Sequence, residues 1–238
     1  MNEPAPPSLV TEHVETDDLG RVRCRGTLLD GLLEGEFLTF DEEGRLRKRE
    51  HFHAGKLEGA CAAFDALGRT VESSTFRAGK AHGSVILSDP AAGLEQRFTF
   101  CDGLLEGPAA VLQGGVPVVE MSYAGGEKEG PFTTFNEAGL PTVRQIYRGG
   151  KLDGEAAWFG PGGEVLRTAT YSAGQLEGEM LDFHDNGRVR ERTPHRAGKP
   201  HGTVRRYRKN GTLKETQEMV DGKPKGPPRQ HDERGRPL

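Results

Sequence analysis

Short apolar segments alternate with glycine turns along almost the whole chain. Segments such as Glu36–Phe40, Ser84–Leu87 and Pro131–Phe135 are rich in β-branched and aromatic residues. The stretch between two successive turns has about six to eight residues, which suits a strand and is too short for a packed helix. The pattern therefore predicts an all-β chain.

Two kinds of turn separate these segments. One is a Gly-x-x-x-Gly phrase, as in Gly55–Gly59, and the other is an Asx-x-x-Gly turn, as in Asp41–Gly44. Glycine accepts positive φ, and Asx side chains bond to nearby backbone groups. Two turns half a period apart predict one β-hairpin per repeat. A parallel β-solenoid, which also shows a fixed period, is the alternative fold.

The phrase recurs at a fixed period, which is the signature of stacked repeats. Successive first glycines are 24 residues apart, with a single step of 23: Gly31, Gly55, Gly79, Gly103, Gly126, Gly150, Gly174, Gly198 and Gly222. We expect an elongated, twisted, single-layer meander of consecutive antiparallel hairpins. Residues 1–16 are predicted to be partly disordered or to add an edge strand. Residues 17–238 are predicted to form one repeat domain whose last repeat is incomplete.

Two columns of bulky residues accompany the hairpins, and we expect them to be buried as core. The first strand of each hairpin ends at Phe40, Phe64, Ser88, Leu112, Phe135, Phe159, Phe183 and Tyr207. The second ends at Phe52, Phe76, Phe100, Tyr123, Tyr147, Tyr171, His195 and Met219. Because the recurring glycines permit the turns, Gly59→Val or Gly154→Val should destabilise the protein.

The net charge of −4 is unevenly distributed. Residues 1–183 carry a net charge of −12, whereas residues 184–238 carry +8. Within the basic end, cations flank an aromatic ring in the cluster Arg205, Arg206, Tyr207 and Arg208. Such a cluster is a candidate contact for an acidic protein partner or a polyanion. The overall negative charge argues against nucleic acid.

Trp158 is the only tryptophan and stands directly before Phe159. Strand alternation predicts that its side chain points away from the face that carries Phe159. An exposed tryptophan would suit a protein interface, so Trp158 is a candidate binding residue. A second buried face is the alternative interpretation.

Motifs for chemistry are missing from the sequence. It contains no phosphate-binding loop, nucleophile elbow or dinucleotide-binding motif. His51 and His53 would offer two imidazoles on one strand face, which make an incomplete metal site. We therefore predict that the protein is not an enzyme and has no catalytic, cofactor or metal site. The recurring phrase carboxylates are predicted to form a charged edge ladder that discourages aggregation: Glu34, Glu58, Glu106, Glu129, Asp153 and Glu177.

The cellular location follows from two further patterns. The chain shows no signal peptide and no run of about 18 apolar residues. Its cysteines, Cys24, Cys61 and Cys101, are odd in number and form no short motif, which favours a reducing compartment. We predict a cytoplasmic protein.

The repeat resembles the MORN repeat, and more closely its bacterial variant form. Phe52–Gly59 and Tyr147–Gly154 follow its pattern of an aromatic residue followed by Gly-Lys-Leu-Glu-Gly or a near equivalent. Repeats near the C-terminus depart from it, as in Gly198–Gly202 and Gly222–Gly226. The resemblance implies a protein-binding repeat protein, with a bacterial antitoxin or immunity protein that occludes a toxin as the specific form. A scaffold that binds anionic lipid through the basic end is the alternative.

Overall fold

The computed structural model describes residues 8–238, so residues 1–7 of the predicted N-terminal segment lie outside the described range. Every helix or strand in that range is a β-strand, and the described strand pairs are antiparallel. The prediction of an all-β chain of consecutive hairpins is confirmed, and a parallel solenoid is excluded. Across residues 8–238 there is no helix with the length and apolarity needed to cross a membrane.

Contacts divide the chain into two compact units, of which the first ends at Gly115 and the second begins at Val116. The single repeat domain over residues 17–238 remains a prediction, and each unit is described by itself. The strands of the first unit are β1 (Val10–Thr16), β2 (Val22–Leu29), β3 (Leu32–Phe40), β4 (Leu46–His53), β5 (Lys56–Leu57), β6 (Gly59–Phe64), β7 (Thr70–Arg77), β8 (Lys80–Asp89), β9 (Leu94–Cys101), β10 (Leu104–Leu105) and β11 (Gly107–Gln113).

The second unit continues the same succession of hairpins. Its strands are β12 (Val116–Ala124), β13 (Glu127–Lys128), β14 (Gly130–Phe135), β15 (Pro141–Arg148), β16 (Lys151–Leu152), β17 (Gly154–Phe159), β18 (Val165–Ser172), β19 (Gln175–Phe183), β20 (Val189–Arg196), β21 (Lys199–Pro200), β22 (Gly202–Tyr207), β23 (Leu213–Val220), β24 (Lys223–Pro224) and β25 (Arg229–Gln230).

The Asx turn is held by one carboxylate in each hairpin that carries an aspartate there. Asp41 Oδ1 accepts hydrogen bonds from the backbone N–H groups of Glu43 and Arg45, at 3.1 and 2.9 Å. Its Oδ2 accepts a further bond from Arg45 Nε at 2.8 Å. Desolvation acts to raise the pKa of Asp41, but these bonds together outweigh it and hold the pKa below its ordinary value. The same Asp/Arg pair closes the turns at Asp17, Asp65 and Asp232.

The return turn lies where the glycine phrase begins. The two central residues of this turn, the first phrase glycine and the residue before it, both have positive φ. Ala54 has a φ of 46° and Gly55 has a φ of 75°. Two consecutive positive φ values define a type I′ turn, whose twist matches that of paired strands. Gly55 N donates to the carbonyl of Leu33 at 2.9 Å, in the preceding repeat. The equivalent bond to the preceding repeat recurs at Gly79, Gly103, Gly150, Gly174, Gly198 and Gly222.

The two bulky columns lie on opposite faces of the sheet within each unit. In β3, Phe37 and Phe40 are three residues apart and so point to opposite faces. The Phe37 ring packs edge-on against the ring of Phe52, with centroids 5.9 Å apart. Phe132 and Tyr147 repeat this contact at 5.9 Å in the second unit. We call the face of Phe52 and Tyr147 face A, and the opposite face face B.

A single layer leaves these rings half-buried, which corrects the expectation of a buried aromatic core. The most deeply buried apolar side chains are those of Ala156 and Ala169, which are 2% and 3% exposed and directly paired. Among the described residues, no large side chain is fully buried. The sheet is therefore stabilised by cross-strand contacts on both faces rather than by a thick core.

Candidate protein-binding groove

An open groove lies on face B of the second unit, across strands β14, β15, β17, β18 and β19. Its volume is about 620 Å³. The residues that line it include a set from equivalent positions in consecutive hairpins: Thr133, Arg144, Glu155, Ala157, Phe159, Thr168, Glu179 and Leu181. The groove is thus a product of the repeat, since each hairpin contributes to the same surface.

The register of the strands explains why these side chains converge. Directly paired residues of antiparallel strands point to the same face. Arg144 of β15 pairs with Thr133 on one side and with Ala157 on the other. Ala157 pairs with Thr168, and Thr168 pairs with Leu181. One cross-strand row therefore carries a cation, two hydroxyls and two apolar side chains along the groove.

Arg144 is the main charged donor of the groove. Its guanidinium lies over the ring of Phe159, 5.5 Å from the centroid, in a cation–π contact. Among residues 8–238 no carboxylate lies within ion-pair distance of it, so its donors face solvent. Arg25 stacks on Phe40 in the same way, at 5.7 Å, on face B of the first unit.

The cationic row continues beyond the groove. Leu181 pairs with Arg192, and Arg192 pairs with Arg205. Arg192 Nη1 lies 3.4 Å from Glu179 Oε1, while its buried Nε has no hydrogen-bond partner.

Trp158 lies outside the groove. It pairs with Arg167, which pairs with Asp182, so these three side chains share face A. Trp158 is half-buried and lines a cavity of about 350 Å³ with Leu166, Arg167, Asp182, Phe183 and Arg190. The carboxylate of Asp182, itself buried, accepts a bond from Arg167 Nε at 2.7 Å.

The structure places the predicted basic cluster largely in internal contacts. Arg206 donates to Glu191 at 2.6 Å and also to Glu215. Arg208 donates three hydrogen bonds to the backbone carbonyls of Leu213, His231 and Asp232, at 2.7 to 2.9 Å.

Tyr207 and Arg205 complete this cluster. The backbone carbonyl of Tyr207 lies 3.0 Å from His184 Nε2. Arg205 shares the face of the groove and pairs with Arg192. It has no ion-pair partner among the described residues. Of the cluster, Arg205 is the cation that remains open to a partner.

The phrase carboxylates do more than line an edge, which refines the predicted ladder. Glu58 Oε2 accepts a hydrogen bond from the backbone N–H of Ala78, at 2.7 Å. The same bond, to a turn twenty residues ahead, recurs at Glu34, Glu129, Asp153 and Glu177. This N–H of the exposed turn has a side-chain acceptor from the previous repeat in place of a backbone carbonyl.

Histidines that sequence reasoning considered for metal are engaged in other contacts. His51 Nδ1 lies 3.1 Å from the carbonyl oxygen of Ala60, and His53 Nδ1 lies 2.9 Å from Glu34 Oε1. His53 stands beside the phrase carboxylate, so its pKa is raised above its ordinary value by that hydrogen bond.

Two clusters of potential ligands escaped the sequence analysis. They are His13 with Glu15 and Cys24, and His82 with Cys101 and Asp102. Each joins residues from neighbouring strands, so only the register brings them together. The sequence signal for the first was the alternation of His13 and Glu15 on one strand, which puts both on one face.

This architecture is that of a β-hairpin repeat protein with an open, grooved face. The family model described as "MORN repeat variant" matches residues 200–221. This match supports the resemblance to MORN repeats seen in the sequence, within the repeat that residues 200–221 occupy. MORN repeats are in general modules that bind proteins or membranes.

Other comparisons add little. No curated protein matches the chain. One solved structure that it resembles is a crystal structure of an S. aureus TarM mutant in complex with fondaparinux, alpha-GlcNAc-glycerol and UDP. The sequence identity is 12% and the TM-score is 0.24, and the match covers 60% of this chain. It spans 21% of the length of that protein, and a score this low carries no argument about function.

Proposed function

We propose that this protein is a non-enzymatic binding protein that uses the groove on face B to hold another protein. The observation that carries this proposal is the groove itself, in which consecutive hairpins present Arg144, two threonines and apolar side chains on one open surface. Such a surface is formed before the partner arrives, so little conformational entropy is lost on binding.

The chemistry of the groove suits a protein partner with both polar and apolar groups. Arg144 offers a cation supported by an aromatic ring, while Glu155 and Glu179 offer carboxylates. Ala157 and Leu181 supply apolar area between them. Complementary charges across an interface set orientation and partner choice more than raw affinity. We therefore propose that the groove selects its partner by charge and gains affinity from apolar burial.

We further propose, from the resemblance to bacterial MORN variants, that the partner is a toxin or another effector that this protein occludes. Binding alone suffices for such a role, because a rigid surface that covers an active site blocks substrate access. The groove residues come from equivalent repeat positions and contain no paired nucleophile and base. We accordingly propose no reaction for the site.

A lipid-binding scaffold is less well supported. That role would rely on the basic end, yet Arg206 is held by two carboxylates and Arg208 by three backbone carbonyls. Cations that are already paired add little attraction to anionic headgroups. The groove therefore favours protein over membrane.

Co-purification from the native host tests the proposal. The test variant is Arg144→Glu, an exposed residue whose change should leave the fold intact. Arg25→Glu is the matched control, because it removes the same cation–π contact in the first unit. We expect a partner that is retained by wild type and by R25E but lost from R144E. Loss from R25E alone would assign binding to the first unit. Salt-sensitive binding to anionic vesicles without a protein partner would support the lipid scaffold.

A further inference from the structure

His13, Glu15 and Cys24 converge at the start of the first unit. His13 and Glu15 are alternate residues of β1 and share one face, and Glu15 pairs directly with Cys24 of β2. The three potential ligand atoms all lie within 4.8 Å of one another. Two adjacent strands thus bring together an imidazole nitrogen, a carboxylate oxygen and a thiol sulfur.

The distances suit a tetrahedral metal ion. His13 Nε2 lies 3.4 Å from Glu15 Oε1 and 3.9 Å from Cys24 Sγ. Around a tetrahedral Zn²⁺ ion with bonds of about 2.0 to 2.3 Å, neighbouring ligand atoms are roughly 3.3 to 3.8 Å apart. The observed separations are close to these values without any rearrangement of the backbone.

The surroundings fix two of the three ligands. The His13 ring stacks on the ring of Phe37, with centroids 6.0 Å apart and an interplanar angle of 29°. Phe37 is itself held by Phe52. Cys24 is 7% exposed, while Glu15 faces solvent and leaves room for a water molecule. Packing that orients a ligand raises the affinity of a metal site.

The second cluster is a different kind of feature. Asp102 accepts a bond from Arg77 at 2.6 Å and lies 3.3 Å from His82. The same arrangement recurs, without a cysteine, where His201 meets Asp221 and Arg196. In both places the histidine Nδ1 faces the aspartate backbone N–H, at 3.4 Å. The contact between His82 and Asp102 therefore belongs to the return turn, and Cys101 has no part in that contact.

We propose that His13, Glu15 and Cys24 bind one Zn²⁺ ion or a similar borderline divalent cation, with water as the fourth ligand. The carboxylate and the thiolate balance the charge of the ion, and the thiol proton is released on binding. Because the ligands come from both strands, the ion would link β1 to β2. The ion would stabilise a sheet edge that otherwise depends on one row of backbone bonds.

Cobalt(II) substitution tests this site directly. The full-length protein, freed of metal by a chelator, is titrated with Co²⁺ while its absorption spectrum is recorded. We expect one equivalent to bind, with thiolate-to-cobalt charge-transfer absorption in the near ultraviolet. C24S should abolish that absorption, whereas C101S should retain it. Absence of the absorption in wild type, or its loss in C101S alone, would overturn the proposal.

A second variant guards against misfolding of C24S. Glu15 is exposed, so E15Q should fold normally while losing one ligand. We expect its Zn²⁺ affinity to fall by about 10-fold or more, since even an outer partner of a ligand contributes that much. Zn²⁺ should raise the melting temperature of wild type more than that of E15Q. Equal shifts in the two proteins would contradict the assignment.

Discussion

The carboxylate of Glu58 accepts a hydrogen bond from the backbone N–H of Ala78 at 2.7 Å, across a repeat boundary. Ala78 has a φ of 48° and begins the next return turn. Glu34, Glu129, Asp153 and Glu177 make the same bond to the turn that follows. This link explains why an acidic residue recurs in the phrase, and it makes these turns depend on the previous repeat.

Removal of this acceptor should destabilise the protein. Glu58→Ala leaves the Ala78 N–H without its carboxylate, and we expect a loss of about 1 kcal/mol in the free energy of unfolding. Urea denaturation measures it. Glu42→Ala is the control, since Glu42 is an exposed glutamate of the Asx turn. An equal effect from both substitutions would show that the bond to Ala78 contributes nothing specific.

Ala78 has a left-handed backbone conformation, so we expect a substitution by glycine to stabilise the protein. A non-glycine residue in this conformation costs about 1 to 2 kcal/mol, and glycine avoids the cost. We expect Ala78→Gly to raise the free energy of unfolding by about 0.5 to 1 kcal/mol. Glycine already occupies the equivalent position at Gly149, with a φ of 52°. Ala62→Gly, within strand β6, should lower stability instead. Changes of the same sign at both positions would refute the turn assignment.

Two phrase glycines should differ in their tolerance of a side chain. Both Gly59 and Gly154 have positive φ, but a Cβ at Gly59 would meet nothing within 4 Å. A Cβ at Gly154 would lie 3.2 Å from Ile146 Cβ. Gly59→Val should therefore cost about 1 to 3 kcal/mol from backbone strain alone, and Gly154→Val should cost more. Thermal melts would show the order, and equal melting temperatures would contradict it.

The pair of Glu34 and His53 predicts a pH dependence of stability. The bond to the Ala54 N–H, and then that to His53, lowers the pKa of Glu34 below 4.5, while Glu34 raises the pKa of His53 above 6.5. The contribution of Glu34 is present above pH 4.5 and is lost on acidification. The contribution of His53 is present below pH 6.5 and is lost as the pH rises through its raised pKa.

The measurement is the difference in melting temperature between wild type and His53→Ala. This difference should be largest at pH values between 4.5 and 6.5, and it should shrink at higher pH. His51→Ala is the control, because His51 faces the carbonyl of Ala60 rather than a carboxylate. A difference for His53 that grows with pH would contradict the ion pair.

Arg208 should anchor the end of the chain. It donates to the backbone carbonyls of Leu213, His231 and Asp232. Arg208→Ala should lower the free energy of local opening of residues 229–238 by about 1.5 to 3 kcal/mol, because these bonds come from a charged donor. Hydrogen exchange of those amides measures it. Arg205→Ala should leave the exchange unchanged, and matching effects would argue against the anchor.

The sequence sufficed for the hairpins because turn chemistry is local. Glycines at positive φ and aspartates that bond two or four residues ahead act within a few residues, so Asp41 and Gly55 could be interpreted directly. The period then supplied the order of the strands. The fold class needed no long-range information.

The binding surface depends on register, which the sequence shows only indirectly. Alternation places Trp158 and Phe159 on opposite faces, and binding through Trp158 on face A stays a prediction. The groove formed on the other face, around Arg144, because that residue pairs with both Thr133 and Ala157. The internal roles of Arg206 and Arg208 likewise arise from partners in other strands.

Site-specific photo-crosslinking in the native host tests the central claim most directly. Ala157 lines the groove on face B, whereas its neighbour Trp158 lines the cavity on face A. A photoreactive amino acid at each of these adjacent positions therefore probes opposite faces of the same strand. We predict a crosslinked protein partner from position 157 and none from position 158. A partner captured from position 158 alone would contradict the account.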